Sequence, residues 1–363
     1  MIRFSGKLAL QQRVLPNYRA PFFDLLASAC DGGMGLFTGL PRAVEGIATT
    51  DKLRVADYHL GRNLHLFSGS LYLCYQTGLI DWFKNWNPDA LIVEANPRYL
   101  STSAAVRWMH ARGKPVIGWG LGTGTKGKGV EVKGWAGFIH QFDALLAYSQ
   151  RGVNEYAALG FPREKVFVAH NSVSAPPSVA LDHRPQTTDR FTILFVGRLQ
   201  ARKRVDDLLR ACAQLESKPH LVIVGDGPER EKLQAIAREI YPEAEFVGAK
   251  HGAELKPYFA EADLFVLPGT GGLAIQEAMS YGLPVIVAQG DGTQDDLVRK
   301  GNGWQIPPDD FKALVSTMKE ALSDVARLRT MGAESHRIVM EEINIEKMVE
   351  MFVAALNSVC FAS

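Results

Sequence analysis

Cysteine is scarce in this 363-residue chain: Cys30, Cys74, Cys212 and Cys360 stand far apart, without the spacing of metal ligands. That excludes a disulfide-stapled scaffold and zinc modules built on paired cysteines, and it fits reduced, buried thiols in a cytoplasmic protein. No apolar run approaches the roughly 18 residues that span a bilayer. The opening MIRFSGKLALQQRVLPNY lacks a long apolar core and a small-residue cleavage site, so it reads as a first strand and not as a signal peptide. Tandem repeats and low-complexity tracts are absent too. No early strand runs into G-x-G-x-x-G with an acid about 20 residues on, which a nicotinamide-dependent oxidoreductase calls for. Residues 120–127 (GLGTGTKG) come too late for it, and no periodic helix follows them. Neither a dense basic face nor an RNA motif stands out, so nucleic acid is not an expected partner.

What is present is a globular composition, 47% hydrophobic and 22% charged, in a length that suits about two domains. Net charge is +1, unevenly spread. Residues 1–174 hold 19 Lys and Arg against 12 Asp and Glu, while residues 175–363 hold 21 against 27. A basic first half suits an anionic partner such as a phospholipid surface or a pyrophosphate-linked lipid, and equally a plain scatter of surface charge.

Strands and helices alternate in both halves. The first half predicts strands at 7–15, 34–40, 59–67, 90–95, 115–119, 144–148 and 166–169, with helices at 21–29, 102–112, up to 139 and 152–159. The second predicts strands at 192–196, 221–224, 244–247, 264–267, 285–287 and 303–306. Its helices fall at 205–213, 229–240, 254–260, 273–281, 295–300, 312–322, 325–340 and 345–359. Strands spaced by helices argue for doubly wound parallel sheets. The aperiodic, proline-bearing stretch 171–190 holds the linker, placed at 175–190 between domains 1–174 and 191–344.

Ligands of open α/β sheets bind beyond the carboxyl ends of the strands, so a cleft between two such sheets is the expected site. Residues 263–284 (DLFVLPGTGGLAIQEAMSYGLP) give a strand, a glycine loop, a helix start and an acid one turn in, Glu277. Helix N-termini attract phosphate because four N–H groups lack intrahelical partners and the dipole is positive there. A carboxylate inside the helix accepts hydrogen bonds from sugar hydroxyls. An ordinary βαβ turn with a solvated Glu is the plainer alternative. Two further loops follow strand ends: residues 197–204 (GRLQARKR), with four cations, and residues 225–228 (GDGP). Cations beside a helix start oppose its dipole, which favours a ligand role for Arg198 and Lys203. Gly225 and Gly227 read first as turn-formers.

The runs ALLAYSQRGVNEYAALGFPREKVFVAHNSV, FVGRLQARKRVDDLLRA, VIVGDGPEREKL, FVGAKHGAEL and LFVLPGTGGLAIQEAMSYGLPVIV follow one another in order. Together they resemble the nucleotide-sugar domain of the retaining glycosyltransferases of family four, with the GT-B fold. The resemblance implies two Rossmann-like domains facing a cleft, with a C-terminal helix (345–363) packing back on the first. It implies a nucleotide diphosphate-sugar donor and no obligatory metal, and indeed no His, Asp and Cys cluster has metal spacing. Carried over by position, Arg198 and Lys203 would bind the diphosphate and Glu277 the ribose. Gly269, Thr270, Gly271, Gly272 and Leu273 would form the phosphate loop, and Gly197, Gly225, Val247 and Gly248 would complete the donor pocket. There the charge that grows on the leaving diphosphate would be met.

Two positions depart from the family pattern. Gly269 stands where a Glu commonly meets the transferred sugar, which leaves open a deoxy- or amino-sugar, or a hydroxyl held by backbone groups. No His follows the strand at 115–119, so His59, His65, His140 and His170 remain as candidates, each more readily a packed or surface residue. The acceptor, a carbohydrate or a lipid-linked one, is expected on the first domain, where Tyr18, Arg19, Glu94, Asn96 and Arg98 follow strand ends. Lys126, Lys128 and Lys133 with Trp135 and Phe138 would suit a membrane surface, or a solvated loop. A cytoplasmic transferase of cell-surface polysaccharide or glycolipid assembly, peripheral on the inner membrane face, is the resulting expectation. A non-catalytic nucleotide-sugar-binding partner subunit is the alternative.

Overall fold

The computed structural model describes residues 2–123, 130–173, 175 and 190–361, with the backbone alone at 130–133. Two compact units divide the chain: Met1–Val173 with Ile345–Ser363, and Ser174–Asn344. Most of the expected linker, 175–190, lies outside the described residues, as do Lys126 and Lys128.

The first unit runs β1 (Leu8–Val14), α1 (Ala20–Ser28), β2 (Met34–Gly39), β3 (Asp57–Leu60), β4 (Arg62–Leu66), β5 (Leu73–Thr77), α2 (Leu79–Trp86), β6 (Ala90–Glu94) and α3 (Ser101–His110). It continues through β7 (Val116–Gly120), α4 (Val130–Ile139), β8 (Ala144–Ala147), α5 (Gln150–Ala158) and β9 (Val166–Val168). Seven strands form one parallel sheet in the order β3-β2-β1-β6-β7-β8-β9. Runs such as Ala90-Leu91-Ile92-Val93 are fully buried because helices cover both faces of a parallel sheet. The order reverses between β1 and β6, which makes their carboxyl ends the switch point.

One face of this sheet is closed by the C-terminal helix, Ile345–Cys360. Its buried residues Ile345, Met348, Val349, Phe352, Val353 and Leu356 recur at helical spacing and pack with Phe22, Trp119 and Leu146.

The second unit runs β10 (Thr192–Val196), α6 (Val205–Ala213), β11 (His220–Val224), α7 (Arg230–Ile240), β12 (Glu245–Gly248), α8 (Lys256–Glu261) and β13 (Leu264–Leu267). Then come α9 (Leu273–Ser280), β14 (Val285–Ala288), α10 (Thr293–Leu297), β15 (Gly303–Ile306), α11 (Phe311–Leu322) and α12 (Val325–Glu341). Its six parallel strands order as β12-β11-β10-β13-β14-β15, with the switch point between β10 and β13.

Some expectations need correction. The strand expected at 59–67 is two strands. β3 joins the main sheet, and β4 pairs antiparallel with β5, which periodicity did not reveal; neither did it reveal α2. The helix expected at 295–300 is α10, two residues earlier, because the Asp291 carboxylate accepts the Thr293 N–H at 3.1 Å and the Asn302 side chain accepts Arg299 N–H at 2.6 Å in the turn beyond. Trp135 and Phe138 pack edge to face at 6.1 Å and lie half-buried against the core of the first unit. Among the described residues no helix is long and apolar enough to cross a membrane.

Candidate functional site

The carboxyl ends of β10 and β13 flank the switch point of the second unit, and both following loops carry the expected site residues. After β10 the chain passes exposed Arg198 and enters a 3-10 turn, Ala201–Lys203. Arg204 then adopts a left-handed conformation (φ 55°) and starts α6. A non-glycine residue pays roughly 1 kcal/mol or more for that geometry. It is held there by ion pairs to Asp207, at 2.5 Å, and to Asp309.

The turn sends Lys203 inward. Its side chain is nearly buried, and its ammonium donates to the Thr270 carbonyl at 2.5 Å. No carboxylate pairs with it among the described residues. Burial first, and Arg202 second, push its pKa down from 10.5 to about 8. A buried cation without a counter-ion costs several kcal/mol and is retained where an anion arrives to offset it.

The anion-seeking groups opposite it belong to α9. This helix begins at Gly272 with no side-chain cap and no acid in its first turn. The first α9 bonds run from Ile275 and Gln276 N–H to the Gly272 carbonyl. The N–H groups of Gly271, Gly272, Leu273 and Ala274 have no acceptor among the described residues. A Cβ on Gly271 would lie 2.3 Å from the Lys203 ammonium nitrogen, so only glycine lets the loop and the cation come so close. Four open donors, a helix dipole and an unpaired ammonium thus meet within one loop.

Gly269 has a steric reason. A Cβ there would stand 2.1 Å from the Arg202 carbonyl oxygen and 2.6 Å from the Lys203 Cα. The Arg202 guanidinium bonds the Thr270 hydroxyl at 2.9 Å, and the Thr270 N–H bonds the Arg202 carbonyl at 3.1 Å. The two loops are laced together and no side chain fits between them. Gly269→Ala is therefore expected to cost about 1–3 kcal/mol by overpacking. Thermal unfolding followed by fluorescence checks this; a variant as stable as the parent shows that the loops do not meet there.

Glu277 lies one turn into α9, half-buried, with its Cβ leaning back toward the open N-terminus. Burial raises its pKa, and its carboxylate has no hydrogen-bond partner among the described residues. Gly225 (φ 150°) sits against this region as well, since a Cβ would fall 1.9 Å from the Gly197 carbonyl oxygen. Its N–H bonds the Gly248 carbonyl at 2.8 Å, which brings Gly197, Gly225, Val247 and Gly248 into one group of loops.

The sequence reading missed Gln294. It is buried at the start of α10 and its side-chain amide donates to the Gly271 carbonyl at 2.5 Å, fixing the peptide that presents the Gly272 N–H. A lone glutamine after a glycine loop carries no signal of that contact.

In the first unit the acceptor-side candidates separate. Arg19 and Glu94 converge at the switch point, whereas Tyr18 and Arg98 are exposed. The Asn96 carboxamide accepts the Arg98 N–H at 3.0 Å and shapes a turn. His59 stacks on Phe37 at 5.3 Å, His65 bonds the Tyr72 hydroxyl at 2.9 Å, and His140 bonds the Ala136 carbonyl at 2.7 Å. Among the described residues no group of three or more His, Cys, Asp or Glu is placed to hold a metal ion.

Residues 190–324 match the family model described as glycosyl transferases group 1. The chain is 35% identical over 189 residues to the GDP-mannose-dependent alpha-mannosyltransferase of Mycobacterium tuberculosis, covering 49% of this chain and 48% of that protein. It is 29% identical over 192 residues to the amylovoran biosynthesis glycosyltransferase AmsK of Erwinia amylovora, covering 49% and 47%. The chain thus spans about half the length of these curated relatives. The crystal structure of Anabaena HepE in complex with UDP superposes with a TM-score of 0.72, over 97% of this chain and 99% of that one, at 16% identity. That likeness shows the fold, two Rossmann-like α/β units of the GT-B type. The residues that match this family model, 190–324, are those that bring Lys203, Glu277 and the open end of α9 together.

Proposed function

We propose that this protein transfers a sugar, with retention, from a nucleotide diphosphate-sugar to an acceptor hydroxyl in the assembly of a polysaccharide or glycolipid. The observation that carries the reading is the buried, unpaired Lys203 beside four open N–H groups at the start of α9. That arrangement suits a diphosphate, and it suits best the charge that builds on a diphosphate as its bond to the sugar breaks. Arg198 adds a second cation at the exposed side, and Glu277 offers carboxylate oxygens to ribose hydroxyls. The relatives' names, both transferases, support this reading over a non-catalytic binding subunit.

A thermal-shift panel of nucleotide sugars tests the reading. It includes GDP-mannose, the donor in the mycobacterial relative's name, and UDP-glucose. A donor at 100 times its Kd stabilises by about 2.7 kcal/mol, and product formation with that donor separates an enzyme from a binder. No shift with any nucleotide sugar defeats the proposal.

The depressed pKa of Lys203 adds a pH dependence. In the ligand-free protein this lysine contributes stability above its unfolded value of 10.5 that is lost as pH falls through about 8. Diphosphate favours the ammonium form, so binding takes up a proton above that value. The Kd for a nucleoside diphosphate is expected to stay level below pH 8 and to rise by up to about tenfold per unit above it. Lys203→Arg, whose guanidinium stays charged, is expected to flatten the rise. Calorimetric titration across that range is the check.

A further inference from the structure

We infer that the switch point of the first unit is a binding site for an oxyanion-bearing ligand, with Arg19 holding the anion and Glu94 a neighbouring hydroxyl. Naming that ligand the acceptor rests on the transferase reading above; the site itself does not.

Arg19 follows β1 and is 7% exposed. One end of its guanidinium donates to the Asn171 carboxamide, and its plane lies 5.3 Å from the Trp119 ring centroid. The other terminal nitrogen, Nη1, is buried and has no hydrogen-bond partner among the described residues, and neither has Trp119 Nε1. No carboxylate forms an ion pair with Arg19 among those residues. Its neighbour Arg13 shows the contrast, since Glu45 neutralises that guanidinium at 2.9 Å.

Glu94 ends β6, across the switch point from Arg19. One carboxylate oxygen accepts the Arg13 backbone N–H at 2.5 Å, and the other has no partner among the described residues. Burial raises its pKa to about 7, against the pull of Arg13 and Arg19. Tyr99, Tyr148 and Cys74 are the other ionisable groups near it, and each has its own pKa raised by burial. Burial thus makes Glu94 a weak counter-ion, and no carboxylate lies within ion-pair distance of the Arg19 guanidinium among the described residues. A buried water can satisfy an N–H group but cannot neutralise that charge; a phosphate or carboxylate does both. Each unit therefore places a buried cation where its strand order reverses, with no carboxylate in ion-pair distance among the described residues: Lys203 in the second and Arg19 in the first.

The test is calorimetric titration of the full chain with two anionic probes, glycerol 3-phosphate and glucuronate, and their neutral counterparts, glycerol and glucose. At least one anionic probe is expected to bind parent and Lys203→Ala alike, at least about tenfold more tightly than its neutral counterpart. Binding by the ester alone assigns a phosphate, and by the sugar acid alone a carboxylate. Arg19→Gln is expected to lose about tenfold or more, with partial recovery in Arg19→Lys as proof that the fold tolerates change there. Affinity is expected to fall as pH rises through 7 in the parent but not in Glu94→Gln. The inference is overturned if neither anion binds the parent. It is also overturned if binding survives Arg19→Gln and is lost in Lys203→Ala, a result that leaves the donor reading standing. Nucleoside diphosphate binding indifferent to Lys203→Ala sinks the donor reading instead and leaves the Arg19 site intact.

Discussion

Lys203→Ala is expected to lower sugar transfer at least tenfold, about 1.4 kcal/mol of barrier, and on the order of a hundredfold if the ammonium acts mainly on the departing diphosphate. Arg198→Ala is expected to act in the same direction. The loss should appear in kcat more than in KM, because charge on the leaving group peaks in the transition state. A second readout separates this role from a structural one. Removing a buried cation that has no counter-ion relieves a desolvation cost, so ligand-free Lys203→Ala should unfold no earlier than the parent. An inactive variant of unchanged or higher Tm fits a functional lysine. A variant with full activity returns Lys203 to the status of a packed side chain.

The largest effect on stability is expected from Phe352→Ala. Phe352 is fully buried on the C-terminal helix and meets Phe22 and Trp119 edge to face, each at 5.0 Å between centroids. Emptying such a position costs about 3–5 kcal/mol. Two aromatic contacts are lost with it, each worth about 0.5–1.5 kcal/mol beyond buried area. Those residues line the core beneath Arg19, so the first unit should unfold early while the second keeps its transition. Urea denaturation followed by tryptophan fluorescence, with donor binding as the report on the second unit, distinguishes the two. Loss of donor binding at the same urea concentration as the first transition contradicts independent units. Glu346→Ala, at an exposed position of the same helix, serves as the control.

The second unit was the more legible in sequence, for a physical reason. Its strands are short apolar runs bounded by glycine, proline and charged residues, and the central β13 and β14 are buried throughout, so period and composition agree. α6 and β13 fall where the pattern places them, at Val205–Ala213 and Leu264–Leu267. The β4–β5 hairpin inverts the usual pattern. Leu64, Leu66 and Tyr75 face solvent, while Gln76 is buried and bonded to Gln11. Asn63 turns in to hold the carbonyls of Arg13 and Leu40. No count of apolar positions finds a hairpin whose polar residues point inward.

The site divides in the same way. Cations after one strand and glycines after another are local features, and the sequence displays them. The burial of Lys203, its bond to the Thr270 carbonyl with no carboxylate beside it among the described residues, and the Gln294 bond to Gly271 arise from loops far apart in the chain. The glycine at 269 reads as a missing acid in one dimension. In three it is the point where two backbones touch.

The helix at Ile345–Cys360 also sets an order of events during translation. Residues that form the first sheet leave the ribosome early, yet the side chains that cover Phe22 and Trp119 are made only after Ser174–Asn344. Until then the nascent amino-terminal layer exposes an aromatic surface, a natural place for chaperones to attend and for aggregation to begin. The later-made unit carries its whole core within one continuous stretch and can close as soon as it emerges.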